Sequence, residues 1–482
     1  MAHGRHDPLQ LYSAVFDSQE TKSRFAVPIN RGISGYVATS GKIMNIKDVY
    51  DDPRFNNAID IKTGYRTKSM LCVPICGPEN QKVIGVTTLI NKLEMPYFTV
   101  EDEEVFMAFS VFCGLAIHKS LLMSSLKNHR NMLSVTMELM SYHVTSKPEE
   151  VHAFQASMER QGVQMQFDDL ASPLFDAHDY HLNDALVYIM LQMFKDLGYP
   201  QKYEISDQKL LTYALTIRRN YRDNAYHNFT HAVAVSHAIY YLAKTGISRK
   251  YLEEIEEFSM LLAAFNHDID HRGTNNAFQK SAHTALADFY STSTMERHHF
   301  NHAMTILNTP HHNIFERLSP NEYQRCLKTF EHGILATDLA LYFKNRKPTE
   351  ALEGCYNKAD SQHRELLRGL IMTCSDLSSM TKRWEGSQHT ADQVYSEFFE
   401  QGDKERALGL PFSSPLMDRS NTSKIPKMQF EFYGAIVAPA FALLAKLVPE
   451  VQPLYDSVLA NQSRWKVLMD SNVPYEIHQP SH

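Results

Sequence analysis

Tryptophan is nearly absent from this 482-residue chain, with two copies, and cysteine is sparse, with six. The cysteines fall at positions 72, 76, 113, 326, 355 and 374 and form no Cys-x-x-Cys pair. That excludes a disulfide framework and fits reduced, intracellular thiols. An excess of positive charge is also missing. The net charge of -7 removes the broad basic footprint that nucleic-acid binding needs. Long purely apolar runs are lacking too: the uncharged, mostly apolar stretch 432–445 contains Pro439 and falls short of the ~20 residues of a spanning helix. The opening, Met1 to Asp7, is polar with no apolar core behind it, and the closing Gln479-Pro480-Ser481-His482 has no cysteine for prenylation. These absences give the expectation of a cytoplasmic protein with no transmembrane segment.

What is present is ample apolar content, 43%, in a chain long enough for two or three domains. Residues 1–98 read as strands and turns. Phe25, Val27 and Ile29 alternate, Met70 to Ile75 is an apolar run, and Lys82 to Ile90 is rich in β-branched residues. The order Arg31-Gly32-Ile33-Ser34-Gly35-Tyr36-Val37-Ala38, then Asn45-Ile46-Lys47-Asp48 and Asp52-Pro53-Arg54-Phe55, is followed by Asn91-Lys92, Phe98 and Asp102-Glu103. This resembles the α/β GAF domain that precedes the catalytic domain in several cyclic-nucleotide phosphodiesterases. Lys92 and Asp102 are placed to pair across a strand-to-helix junction, or else are solvated surface charges. Only 31 residues precede Gly32, so the resemblance implies an N-terminally incomplete GAF domain with weak or absent ligand binding.

Residues 99–143 carry apolar residues at helical spacing, among them Val105, Phe109, Phe112, Leu115, Leu122, Leu126 and Leu133. Thr99 and Asp102 open this stretch like a capping box. One helix of that length exceeds a compact domain, which points to a connecting helix that pairs with its twin in a homodimer. Two shorter helices broken near Lys127-Asn128-His129 are the alternative. Residues 144–178 have linker composition, and the pattern beyond 180 is helical. The expected division is a partial GAF domain over 1–120, a connecting helix and linker over 121–178, and an all-α catalytic domain over 179–475.

Chemistry concentrates between Tyr226 and His271. His227 and His231 are spaced i, i+4, as are His267 and His271, so on helices each pair shares a face. Imidazole suits zinc-type ions, and a carboxylate supplies hard oxygen that can bridge two ions. His231, His267, Asp268 and Asp376 make a metal shell. His271, Glu296 and the Thr337 hydroxyl are candidates to hold waters of a second ion. Two such ions suit phosphoester hydrolysis. The chain has 24 histidines, so pairs such as His298-His299 and His311-His312 also arise by coincidence. Spacing alone leaves any His/Asp-type phosphohydrolase open, and a non-catalytic GAF-type nucleotide-binding regulator is a further alternative.

The motifs Tyr226-His227-Asn228-x-x-His231-Ala232, His267-Asp268-x-Asp270-His271-Arg272-Gly273-x-Asn275-Asn276, Met295-Glu296-x-His298-His299-Phe300, Asp376-Leu377-Ser378 and Glu397-Phe398-Phe399-x-Gln401-Gly402-Asp403 occur in this order. They resemble the class I 3′,5′-cyclic-nucleotide phosphodiesterases, most nearly the GAF-containing members that accept both cAMP and cGMP. The resemblance implies two divalent ions, Zn and Mg (or Mn). It implies His227 as the general acid and Glu397 as the group that orients it. Gln429 would read the purine edge, with Phe432 and Val394 on the faces of the ring. Tyr226 and Asn275 would also line the substrate site. Phe229, Asn266, Ser375 and Arg383 depart from the usual residues, which implies altered packing rather than lost chemistry.

Overall fold

The computed structural model describes residues 10–12, 26–29, 31–77, 82–142, 145–161, 170–180, 183–471 and 475–477. The chain forms two compact units, 1–130 and 131–482.

The first unit is built on strand β4 (Met70–Cys76), which lies between β3 (Met44–Ile46) and β5 (Val83–Ile90), antiparallel to both. A separate hairpin pairs β1 (Gln10–Tyr12) with β2 (Ala26–Pro28). The side chains of β4 alternate between two cores, because successive residues of a strand face opposite sides. Met70 and Cys72 pack with Ile33 and Val37 of helix α1 (Gly32–Ser40). Leu71 and Val73 pack with Phe98 and Phe106. A sheet covered on both faces explains why Met70 to Ile75 is continuously apolar. Helix α2 (Ala58–Thr63) is a short excursion before β4, and α3 (Val100–Tyr142) follows β5. A Cβ on Gly114 of α3 would meet the Cys76 carbonyl oxygen at 2.5 Å, so glycine there permits the close approach of helix to strand. Lys92 Nζ lies 2.5 Å from Asp102 Oδ2, and the same oxygen accepts from the Thr99 amide at 2.6 Å. With the Asp102 amide donating to Thr99 Oγ1, this is a reciprocal cap at the start of α3. The Lys92–Asp102 pair therefore fixes the strand-to-helix junction rather than standing as free surface charge.

Helix α3 is a single element of 43 residues with no break near His129. Opposite its sheet-packed face it exposes Val105, Phe109, Phe112, Leu115, Leu122 and Leu126. By length and composition alone, the segments Val100–Thr136 and Arg419–Leu447 are apolar enough to cross a membrane. The run-length criterion missed the first because Lys119 interrupts it.

The second unit is helical throughout its described residues and has one large core. Phe229–Lys244 and Glu254–Asn266 form its centre. Every residue of Ile255–Asn266 is buried, as expected of a helix apolar on nearly all faces. Ser361–Asp376 packs on both of these helices, and Pro320–Leu335 packs on Glu254–Asn266. The stretch of linker composition differs from expectation. Pro148–Gln161 is a helix, and Val151, Phe154, Leu170 and Phe175 join the core of the second unit. Its polar residues cover a short apolar face, which composition averages away.

Candidate active site

Three helix ends converge. Asn228 caps Phe229–Lys244, its side chain accepting from the His231 amide, so His231 lies in the first turn and His227 lies before the helix. Glu254–Asn266 ends just before His267, and Asp270 then adopts a left-handed backbone with φ 59°. Asp376 ends Ser361–Asp376. The expectation that each i, i+4 histidine pair lies on one helical face is therefore corrected. His227 lies before its helix, and His267 and His271 both lie beyond the end of theirs, so neither pair shares a helical face.

His231 Nε2 lies 3.0 Å from Asp376 Oδ1 and 3.5 Å from Asp268 Oδ2. His267 Nε2 lies 3.0 Å from Asp268 Oδ2 and 3.3 Å from Asp376 Oδ1. The two imidazole nitrogens are 3.2 Å apart. His267 Nδ1 is 2.8 Å from the Ala264 carbonyl, so Nδ1 carries the proton and Nε2 presents a lone pair. Two imidazoles and two carboxylates with donor atoms within 4.8 Å of one another form a cup for a cation. This donor set fits a zinc-type ion. The negative ends of two helices add to the field. Burial opposes charge on His267, but Asp268 and Asp376 outweigh it and hold its pKa well above the usual value. Burial likewise opposes ionisation of Asp268, and His267 and His227 hold its pKa well down. A site that holds a proton so strongly holds a metal cation for the same reason.

His227 lies outside this cup. Its Nδ1 lies 2.5 Å from Glu397 Oε1, while Glu397 Oε2 accepts from the amides of Tyr226 and His227, each at 3.0 Å. Burial disfavours the imidazolium, but Glu397 and then Asp268 raise the His227 pKa to about 9. The His271 ring stacks on it at 4.0 Å. Burial and the neighbouring His227 charge push His271 down to about 4. The Gly273 amide donates to His271 Nδ1, so His271 carries its proton on Nε2 and is suited to donate to a water rather than to ligate.

Glu296 is pushed up to about 7 by burial and by Asp338, with a further contribution from Asp268. Asn276 donates to both of its oxygens, at 3.2 and 3.0 Å. Two of the expected site residues also serve the local fold. The Thr337 hydroxyl donates to the Ile334 carbonyl of the preceding turn at 2.8 Å. The Asn275 side chain caps the helix Asn276–Ser281 and accepts from Gln401 at 3.2 Å. Tyr226 is buried, its ring 4.4 Å from that of His231.

Gln429 is buried in Ile425–Phe432 close to the Tyr395 hydroxyl, while its Oε1 has no hydrogen-bond partner among the described residues. Val394 and Phe432 are half-buried. Phe432 precedes a π-helical turn, Tyr433–Val437, a distortion often found at functional sites.

Sequence reasoning missed several residues. Tyr395 adjoins Val394, but nothing in its spacing marks it. Asn224 donates to the carbonyls of His227 and His271, at 2.9 and 2.7 Å, and so ties the two turns together. His298 and His299, adjacent histidines without a metal-type spacing, are both fully buried. His298 Nε2 lies 2.7 Å from Asp270 Oδ2, and His299 Nε2 lies 3.7 Å from Asp268 Oδ1. Phe229, Asn266 and Ser375 are buried in the core, where the Asn266 amide donates to the Tyr213 hydroxyl.

This architecture, helix ends converging on a His/Asp cup beside a carboxylate-held histidine, gives the helical second unit a His/Asp site that could hold a metal ion. Residues 226–458 match the 3′5′-cyclic nucleotide phosphodiesterase family and residues 6–117 match the GAF domain. The chain belongs to the class I 3′,5′-cyclic-nucleotide phosphodiesterase family, in its GAF-containing group. It is 39% identical over 95% of its length to a Takifugu rubripes protein named dual 3′,5′-cyclic-AMP and -GMP phosphodiesterase 11A. It is 37% identical over 93% to the Drosophila melanogaster protein named dual 3′,5′-cyclic-AMP and -GMP phosphodiesterase 11. It is 34% identical over 96% to a probable 3′,5′-cyclic phosphodiesterase of Caenorhabditis elegans. The chain spans 50%, 31% and 64% of these relatives, respectively. Among solved structures, LmjPDEB1 in complex with IBMX superposes with a TM-score of 0.63 at 28% identity, over 68% of this chain and 99% of the other. The phosphodiesterase domain of the RhoPDE fusion protein from the choanoflagellate Salpingoeca rosetta gives 0.60 at 28%, over 65% and 98%.

Proposed function

We propose that this protein hydrolyses 3′,5′-cyclic AMP and cyclic GMP to the 5′-monophosphates and so ends cyclic-nucleotide signals. The observation that carries the reading is the His227–Glu397 pair beside the metal cup. A phosphodiester leaving group needs a proton, and an imidazole held by a buried carboxylate keeps one at neutral pH. Nδ1 faces Glu397, so Nε2 is the nitrogen that delivers the proton to the departing 3′ oxygen. His231, His267, Asp268 and Asp376 would hold a zinc-type ion, and Asp268, with His271 and Glu296 nearby to steady waters, would serve a second ion such as Mg or Mn. Such ions, when bound, polarise the phosphoryl oxygen and lower the pKa of water. Gln429 orients the purine through its amide, which has both a donor and an acceptor and so serves adenine or guanine. The names of the fish and fly relatives support the dual specificity.

Two further readings go with this one. The exposed apolar face of α3 packs on a second copy of the chain, giving a homodimer. The cysteines, all free among the described residues, support a cytoplasmic location. The test of the main reading is steady-state hydrolysis of both nucleotides with Mg²⁺, before and after chelation. Turnover of both that chelation abolishes is expected. Turnover of neither would refute the reading.

A further inference from the structure

A cavity of about 160 Å³ lies among the helices Pro320–Leu335, Leu339–Glu350 and Ser361–Asp376, with Leu443 closing one side. We propose that it is a second ligand site, for a single-ring, uncharged molecule carrying a hydroxyl, and that its occupancy is linked to metal binding. The volume is close to that of the ~150 Å³ engineered cavity that takes benzene. It is below the ~300 Å³ at which drug-sized pockets begin, so a second nucleotide does not fit.

The lining supplies the chemistry. Tyr342 is 6% exposed, and its hydroxyl has no partner among the described residues. His332 Nδ1 on the facing helix is also without one. Buried polar atoms left unpaired are costly, so a ligand that turns these side chains toward it gains their hydrogen bonds. The charges at the mouth are already matched. Arg346 Nε lies 2.9 Å from Glu350, and Glu365 lies 3.3 Å from Lys328. Burial and the nearby Arg368 hold His332 down to about 4, which keeps it neutral. No net charge is therefore offered to an ionic ligand.

The link to the metal runs through the walls. Thr373 Oγ1 donates to the Ala336 carbonyl at 2.9 Å and joins two of the helices across the cavity. Thr373 stands one turn before Asp376 on the same helix. A ligand that shifts this wall also bears on the Asp376 carboxylate, and linkage requires the metal to affect the ligand equally.

The test is ¹⁹F NMR titration of 4-fluorophenol, against fluorobenzene, into the full chain. Saturable broadening by 4-fluorophenol is expected, with a midpoint of order 1 mM for so small a ligand. Fluorobenzene should bind about 10-fold more weakly, for want of the hydroxyl. Tyr342→Phe should erase that difference, and Asn345→Trp, which fills the half-buried rim, should abolish binding of both. Chelator-stripped and zinc-loaded protein should differ in midpoint by about 3-fold or more, within the usual range of coupling. No saturable signal in the wild type, binding that survives Asn345→Trp, or a hydroxyl advantage that survives Tyr342→Phe would each overturn the site. Equal midpoints with and without zinc would overturn the link. None of these readouts depends on cyclic-nucleotide hydrolysis.

Discussion

Glu397 divides its carboxylate between the histidine and the backbone that carries it. One oxygen lies 2.5 Å from His227 Nδ1, and the other accepts from the amides of Tyr226 and His227, each at 3.0 Å. The ring and its backbone are held by one side chain, so the direction of Nε2 is set from across the fold.

That arrangement fixes a pH dependence. His227 is raised from 6.5 to about 9, so its pairing stabilises the fold fully below the ordinary histidine value and is lost as pH rises through about 9. Glu397 is depressed, burial opposing and His227 outweighing it, so its contribution is present above the ordinary carboxylate range and is lost as pH falls. The acid form of His227 persists through neutrality, so the alkaline limb of kcat/KM should fall near pH 9. In Glu397→Gln it should move toward 6.5, which at pH 8 costs roughly 30-fold in protonated His227. A pH–rate profile of the two proteins checks this, and superimposable alkaline limbs would remove Glu397 from the role.

Asp376 completes the cup with His231 at 3.0 Å. Asp376→Ala should lower bound zinc from one equivalent toward none, measured by elemental analysis after dialysis. His227→Ala, outside the cup, should keep the metal and lose turnover by about 10²- to 10⁴-fold, the usual contribution of a general acid. Equal metal loss in both variants would dissolve the division between the histidines.

That division marks the limit of what was legible in the sequence. The ligand types and their order along the chain could be read, because imidazole and carboxylate chemistry is written in residue identity. Which histidine does what was not legible from the spacing and came with the family resemblance, because i, i+4 spacing implies a helical face only if the helix runs through it. Asn228 starts its helix after His227, and Asp270 turns left-handed before His271, so each pair opens out. The GAF-like sheet was legible through the continuous apolar run of β4 and the β-branched residues of β5. The helix Pro148–Gln161 was not, because two buried side chains, Val151 and Phe154, carry its packing. Tyr395 and Asn224 act through one or two polar contacts, which leave no periodic trace.

Tyr395 lies close to the amide of Gln429 and is placed to bias its orientation. Tyr395→Phe should free it to rotate and should change the ratio of kcat/KM for cAMP and cGMP by about 3- to 10-fold, the worth of one hydrogen bond. Both substrates assayed side by side test it, and an unchanged ratio would mean that other neighbours hold the amide.

Gly402 explains its place in the Gln401-Gly402-Asp403 motif by contact alone. A Cβ there would lie 1.9 Å from the Met417 carbonyl oxygen, which is backbone and cannot rotate away. Gly402→Ala should destabilise the second unit by about 2–3 kcal/mol, the upper range for overpacking, read as a lowered Tm. A Tm equal to the wild type would show that the Pro415–Met417 turn moves freely.

The last prediction concerns α3. Val105, Phe109, Phe112, Leu115, Leu122 and Leu126 are each more than half exposed, a larger apolar face than a monomer ordinarily presents to water. Two partners would cover it, a second copy or a lipid surface. Lys119 sits within the apolar stripe, where a spanning helix would bury its charge at high cost. Beside a second copy it can extend its stem along the partner and keep its ammonium in water. The wild type should therefore sediment as a dimer at micromolar concentration. Phe112→Asp with Leu122→Asp should sediment as a monomer while the second unit keeps its Tm. A wild-type monomer that floats with neutral vesicles would assign the face to lipid instead.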